Sequence, residues 1–372
     1  MSNDAFRFSD DLGPAKVVHL YHPGIGLKAI VVIDNVAAGP AIGGTRMATD
    51  VSLEECFRLA RAMTLKSAAA SLPHGGAKSV IFGDPSMDAK DKEEIIRAFA
   101  VAIRDLEDYI PGPDMGTNEL AMAWVNDETG RSVGLPREIG GIPLDEIGAT
   151  GWGLTVAAEA AQEFARIDIK GARIVVQGFG AVGRHAAQFL CERGAVLVGA
   201  SDSRGAIVDA TGIDVAALAA HKAAGKAVAT FGEGRAVSDA ELIATPCEIW
   251  IPAARPDVLT RENADKLDCK LFLQGANIPA TIEAEQILHE RGIVSIPDFI
   301  ANAGGVICAA VEYQGSGEAA AFAAIEEKIR FNTREVLAVA RNEGCPPRDA
   351  ANALAVARVK RAMALRRWGA HQ

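Results

Sequence analysis

The sequence predicts an α/β fold in two domains, one of them built on a doubly wound parallel sheet. Three observations carry this expectation. The chain has 372 residues, more than one ordinary hydrophobic core accommodates. Between residues 151 and 296, short apolar runs alternate with helix-like ones in a βαβ rhythm. Inside that stretch, three glycines stand at Gly-x-Gly-x-x-Gly spacing between a strand-like and a helix-like run. A composition of 49% hydrophobic and 23% charged residues is that of a globular chain, not a disordered one.

The elements follow in order. LKAIVVIDNV (27–36) is rich in β-branched residues and predicts a strand. In 52–71, Leu53, Cys56, Leu59, Met63 and Ser67 recur at helical spacing, and Ser52 with Glu55 forms the pattern of a capping box. KSVIFGDP (78–85) predicts a short strand ended by a turn, and residues 90–110 and 118–130 predict two helices. Residues 131–150, rich in glycine and proline, predict a connector. Helices are then expected at 151–165, 182–193 and 214–224. Strands are expected at 173–177, 195–200, 247–251, 270–274 and 293–296. After 318 the chain is helical again, broken at CPPRDA (345–350).

A net charge of −10 argues against nucleic acid or an anionic membrane as partner, but not against a small anionic substrate held by local cations. The six cysteines are scattered without Cys-x-x-Cys spacing, so neither structural zinc nor a disulfide framework is expected, and no metal is implied. They read as reduced, mostly buried thiols of a cytoplasmic protein. The first ten residues lack the pattern of a signal peptide, and no apolar run is long enough for a membrane span.

RIVVQGFGAVGRHAAQFL (173–190) carries the most explicit chemistry. Gly178 permits a tight turn, Gly180 lets the backbone approach a pyrophosphate, and Gly183 lets the helix pack on the strand. The helix start at Ala181 and Val182 offers free N–H groups to phosphates. Asp202 ends the next strand 19 residues after Gly183, where an acid accepts hydrogen bonds from the adenosine ribose. Its charge would repel a 2′-phosphate and favours NAD. Ser203 and Arg204 follow directly and could hold that phosphate, so NADP stays open.

Lys66 and Lys78 stand among small apolar residues in MTLKSAAASLPHGGAKS (63–79). A buried ammonium offers a carboxylate a strong charge-assisted hydrogen bond. A second, desolvated lysine near the first should have a lowered pKa and could act as a base near neutral pH. His74, beside the glycine pair, has no partner spacing that supports an acid–base role.

Seven motifs in order closely resemble the amino-acid dehydrogenase superfamily of glutamate, leucine, valine and phenylalanine dehydrogenases. They are GPAIGGTRM (39–47), MTLKSAAASLPHGGAKS (63–79), PGPDMGTNELAMAW (111–124), GATGWGL (148–154), GFGAVG (178–183), QGANIPAT (274–281) and NAGGVICAAVE (302–312). The resemblance covers nearly the whole chain. It implies that Lys66 binds the substrate α-carboxylate, that Lys78 is the catalytic lysine, and that Asp114 transfers a proton to and from the substrate nitrogen. Gly43 and Gly44 would leave backbone groups open near the substrate. Thr150, Ala254 and Asn277 would line the nicotinamide side of the site, Asn277 also within reach of the substrate. Arg46 is expected in a structural salt bridge.

The implied reaction is reversible: L-amino acid, NAD⁺ and water give 2-oxo acid, ammonium and NADH. In glutamate dehydrogenases a lysine precedes the first glycine pair and a serine lies four residues after the second Gly of NAGGV. Here these positions are Ile42 and Ala309. A carboxylate set against them would lose several kcal/mol. Ile42, Gly112, Val306 and Ala309 are therefore expected to form an apolar side-chain pocket, for a leucine, valine or phenylalanine type of substrate. A glutamate dehydrogenase with an altered pocket, or a non-catalytic dinucleotide sensor, are the alternatives. The expected domains are 1–147 completed by 340–372, for substrate and oligomerisation, and 148–339, a Rossmann-like dinucleotide domain. A substrate cleft between them is implied, as is a homo-oligomer.

Overall fold

A computed structural model describes residues 6–366. The chain divides into two compact units. The first runs through Pro143 and takes in Val306–Ala321 and the chain from Leu354; the second comprises Leu144–Gly305 and Phe322–Ala353.

The first unit contains β1 (Lys16–His22), β2 (Leu27–Asn35), β3 (Ala41–Ala48), α1 (Leu53–Ala69), β4 (Gly75–Phe82), α2 (Ala89–Ala102), β5 (Tyr109–Pro113) and α3 (Glu119–Thr129). Its five-stranded mixed sheet has the order β1-β2-β4-β3-β5. Val31, Ile33, Met47, Ile81, Phe99 and Met122 form the core on one face. Each such side chain, fully buried, contributes about 1.5–3 kcal/mol of apolar transfer free energy.

The helix expected at 90–110 ends at Ala102, and Tyr109 and Ile110 lie in β5 instead. Leu106 donates its N–H to Ile103 O in a closing turn, and Tyr109 donates its own to Leu106 O, so the chain reverses before the strand begins. Ser52 Oγ accepts the Glu55 N–H at 3.1 Å, as a cap should. Glu55 turns its carboxylate to Arg46. The buried face of α1 is also rotated from the expected stripe. Cys56, Ala60, Thr64 and Ser67 are buried, while Leu59 and Met63 are only half-buried. The cause is close approach: a Cβ on Gly76 would stand 1.9 Å from Thr64 N. Only small residues fit where helix and strand nearly touch.

The second unit contains α4 (Ala149–Ala165), β6 (Arg173–Gln177), α5 (Ala181–Glu192), β7 (Val196–Asp202), β8 (Gly205–Val208), α6 (Val215–Ala223), β9 (Arg235–Val237), α7 (Asp239–Ile243), β10 (Ile249–Pro252), β11 (Leu271–Leu273), α8 (Ile282–Glu290), β12 (Val294–Ile296) and α9 (Asp298–Ala301). The sheet order is β12-β11-β10-β6-β7-β8-β9. Strands from β12 to β7 are parallel, and the order turns back at β6, as in a doubly wound sheet. The unexpected β8 and β9 add an antiparallel edge. Three further helices complete the chain: α10 (Gly304–Tyr313), α11 (Glu318–Glu343) and α12 (Pro347–Leu365).

Candidate active site

In the first unit, β3 lies parallel between β4 and β5. Ile42 stands beside Gly76, Gly43 beside Pro111, and Gly44 beside Gly112. This register gathers the chemistry at one level of the sheet. It also explains the glycines. A Cβ on Gly43 would stand 2.0 Å from Ala77 O, and one on Gly44 would stand 2.9 Å from both Lys78 Nζ and Asp114 Cβ. Gly44 is thus the floor on which that lysine and aspartate meet.

Lys78 is 6% exposed on β4. Its Nζ donates to Asp114 Oδ2 at 2.5 Å, and Arg46 Nε donates to the same oxygen at 3.1 Å. Thr117 Oγ1 accepts the Asp114 N–H at 3.0 Å, and Thr117 Oγ1 in turn lies 2.8 Å from Thr45 O, to which it donates. Asp114 is therefore tied at both backbone and side chain. Burial drives Lys78 below the ordinary lysine pKa; Asp114 opposes that and Arg46 adds to it. For Asp114, burial opposes the charged form, but Lys78 and then Arg46 outweigh it and hold the carboxyl low. The like charge acting on Lys78 is that of Arg46, a role the sequence reading did not give it. The salt bridge expected of Arg46 exists, but one of its two acids is Asp114.

Lys66 lies on the last turn of α1 and is half-buried, less desolvated than Lys78. Ile42, Val306 and Ala309 are buried, at 3%, 7% and 7% exposure. Gly112 faces Val133, whose Cγ2 is 3.2 Å from where a Cβ would sit. Val306 and Ala309 stand one helical turn apart on α10. His74 is buried with Nδ1 at 3.0 Å from Pro40 O, and burial lowers its pKa. Its ring is held by the backbone.

In the second unit, Gly178 has φ +97°, and a Cβ there would meet Ala254 Cβ at 2.7 Å. A Cβ on Gly183 would meet Gly178 O at 2.1 Å. Gly180 opens onto free space and caps α5 without any side-chain hydrogen bond, so the N–H groups at Ala181 and Val182 face an open cradle. The loop is pinned to β7 by Gly178 N–H and Phe179 N–H donating to Ser201 O at 3.1 and 2.6 Å. An unblocked helix start of this shape fits a pyrophosphate.

Asp202 is not a bare acceptor. Its Oδ2 takes Lys222 Nζ and the Val228 N–H, and its Oδ1 takes the Arg204 N–H at 2.8 Å. Burial opposes its ionisation, but the Lys222 hydrogen bond leads the contacts that hold it low. Ser203 and Arg204 are exposed beside it. Thr150 Oγ1 lies 3.3 Å from where a Cβ on Gly305 would be. Asn277 is exposed, and its Oδ1 accepts from Asn302 Nδ2 at 3.0 Å.

Sequence reasoning missed Lys222, which lies 20 residues beyond Asp202, beyond any local pattern that would have paired them. All six cysteines are free thiols, four of them buried. Among the described residues, no cluster of histidine, cysteine or acidic residues could hold a metal ion, and no helix is long and apolar enough to cross a membrane.

One unit carries an open helix start of a shape that fits a pyrophosphate, and the other a buried lysine–aspartate pair. Comparison with known proteins places the chain more closely. Residues 140–367 match the Glutamate/Leucine/Phenylalanine/Valine dehydrogenase family, and residues 14–131 match the Glu/Leu/Phe/Val dehydrogenase dimerisation domain. The chain is 36% identical to the glutamate dehydrogenase of Aeropyrum pernix, over 90% of this chain and 85% of that one. It is 40% identical to the NADP-specific glutamate dehydrogenase of Saccharolobus shibatae, over 75% and 69%. The hetero-hexameric glutamate dehydrogenase of Thermus thermophilus, in a leucine-bound form, superposes with a TM-score of 0.84 at 29% identity, covering 95% and 90%. The chain belongs to the glutamate/leucine/phenylalanine/valine dehydrogenase family. It is an NAD(P)-dependent amino-acid dehydrogenase.

Proposed function

We propose that the chain catalyses reversible oxidative deamination of L-glutamate, as a glutamate dehydrogenase with an altered side-chain pocket. The observation that carries the chemistry is the buried pair of Lys78 Nζ and Asp114 Oδ2, 2.5 Å apart. Similarity to glutamate dehydrogenases across most of the chain supports the substrate. In this reading, Lys66 binds the α-carboxylate, and Asp114 takes a proton from the substrate nitrogen or returns it. Lys78, neutral when it acts, removes a proton from water as the water attacks the imine carbon. When bound, the dinucleotide would be held at the turn from Gly178 to Gly183 and beside Asp202, and would supply the acceptor for the hydride that leaves Cα.

A second reading is favoured by Ile42 and Ala309, which leave the expected pocket without the lysine and serine that grip a distal carboxylate. In that reading the substrate is apolar, of leucine, valine or phenylalanine type. One assay separates the two: kcat/KM for glutamate against a panel of apolar L-amino acids. A preference for glutamate supports the first reading, with the distal carboxylate gripped by groups other than Ile42 and Ala309. A preference for apolar substrates supports the second. In that case the double change Ile42→Lys with Ala309→Ser should move relative kcat/KM towards glutamate, more than either change alone, because a lone buried lysine is left unpaired by an apolar substrate.

For the cofactor we propose a preference for NAD, moderated by Lys222. Asp202 repels a 2′-phosphate, while Lys222 neutralises part of that charge. Lys222→Ala should raise the NAD⁺/NADP⁺ ratio of kcat/KM and Asp202→Ala should lower it. A wild type that prefers NADP⁺ would give the site to Arg204 and Lys222. We also propose that the first unit is the substrate and assembly domain, and that the enzyme is an oligomer, as its hexameric relative is.

A further inference from the structure

Glu312 has no part in the chemistry above, yet it is only 7% exposed. Both of its carboxylate oxygens are taken by backbone. Oε1 accepts the Leu135 N–H at 3.0 Å and Oε2 accepts the Ile142 N–H at 3.1 Å, with the Gly134 N–H as a third donor. Burial pushes its pKa up, and these N–H groups work against that rise.

The segment it grips lies against β5. Val133 N–H donates to Pro111 O at 2.9 Å. Val133 Cγ2 faces Gly112, and Gly134 (φ +71°) packs so closely on the Pro113 ring that a Cβ would stand 2.5 Å from its Cδ. The segment is therefore moulded to the end of the strand that carries Gly112. On the other side, Glu312 follows Ala309 by three residues, so the two are neighbours on one face of α10, and Val306 stands one turn before Ala309. The next residue, Tyr313, sets its ring edge-on to His74 at 5.8 Å.

We propose that Glu312 is a positioning residue for substrate selection: its carboxylate fixes the spacing between α10, bearing Val306 and Ala309, and the Gly112 end of β5. The proposal rests on the pocket assignment above. Asp114 has its own ties to Thr117, Arg46 and Lys78, so the clamp governs the fit of the substrate more than the chemical step. Two acceptors are required. Glutamine offers one oxygen and would turn an N–H₂ group towards the other backbone N–H, opposing donor to donor. Aspartate keeps both acceptors on a stem shorter by one CH₂.

The test compares full-length wild type, Glu312→Gln, Glu312→Asp and Glu312→Ala. Steady-state kinetics are measured with L-alanine, L-norvaline, L-leucine, L-phenylalanine and L-glutamate, alongside thermal melting and NADH binding. Glu312→Gln should raise KM for the best substrate roughly tenfold, since small misplacements at a fitted site are costly. It should change kcat by much less, compress the kcat/KM ratio between best and worst substrates, and leave NADH affinity intact. Glu312→Asp should recover a substantial part of the loss. If Glu312→Ala does not fold, the Gln and Asp variants decide. The proposal is overturned if Glu312→Gln keeps KM and the substrate ratio within about twofold, or if it loses kcat, NADH binding and melting temperature together across the whole series. A wild type inactive on every amino acid overturns the functional reading and this one with it; an active wild type with an unaltered Gln variant overturns this one alone.

Discussion

Lys78 sits where a charged lysine is disfavoured, and the groups around it pull in opposite directions. Burial and the Arg46 charge favour the neutral amine, while Asp114 favours the ammonium. A base needs such a balance, because an ordinary lysine is protonated at neutral pH. Lys78→Ala should lower kcat by at least about a hundredfold, within the range of general acid–base contributions, with NADH binding unchanged in fluorescence titration. A variant keeping half the wild-type kcat would remove the assignment. Arg46→Met is the more discriminating change. Arg46 lowers the Lys78 pKa, so its loss raises it. If activity requires the neutral amine, the acidic limb of the kcat/KM–pH profile moves to higher pH. A limb that stays put, or moves to lower pH, would mean that the titrating group is not Lys78.

The elements that carry the site differ in how plainly they are written. Strands β6, β7, β10, β11 and β12 are short apolar runs bounded by turn residues, and their positions were expected to within a few residues. The glycines from Gly178 to Gly183 were legible because each has a separate steric task. β3 and β5 were not legible as strands. β3 reads AIGGTRMA, where the glycines weaken the strand signal, and β5 reads YIPGP, with two prolines in five residues. Both are strands because their neighbours in the sheet pair with them, a long-range cause no local window contains. The rotated face of α1 has the same origin: the demand for small residues comes from Gly76, on another element. That contact makes a prediction. Gly76→Ala would place a methyl 1.9 Å from Thr64 N, in backbone that cannot swing aside. It should destabilise the fold by about 1–3 kcal/mol or more, read as a lowered Tm. It should also raise KM for the amino acid, since α1 carries Lys66 and β4 carries Lys78. An unchanged Tm would show that helix and strand can part there at little cost.

At the scale of the whole molecule, the first unit leaves one sheet edge unfinished. Among the described residues β1 pairs only with β2, and its other side ends the sheet. Along it, Val17 and Tyr21 are 39% and 67% exposed. An edge strand with open backbone groups and exposed apolar side chains invites pairing with another chain, unless charge or proline blocks it. Lys16 is the one charged side chain on β1 outside its two histidines, and it is drawn to Asp108 at 2.6 Å. The unit also matches a domain described by its role in dimerisation. The expected outcome is an assembly whose mass, by size-exclusion chromatography with light scattering, is an even multiple of 38.9 kDa. The paired change Val17→Lys with Tyr21→Lys should reduce that mass, because it sets like charges on both sides of a self-complementary contact. Circular dichroism should remain native, since both side chains point away from the core. A monomeric wild type would refute assembly itself. A wild-type assembly that the double lysine variant leaves intact would place the contact on another face of the unit.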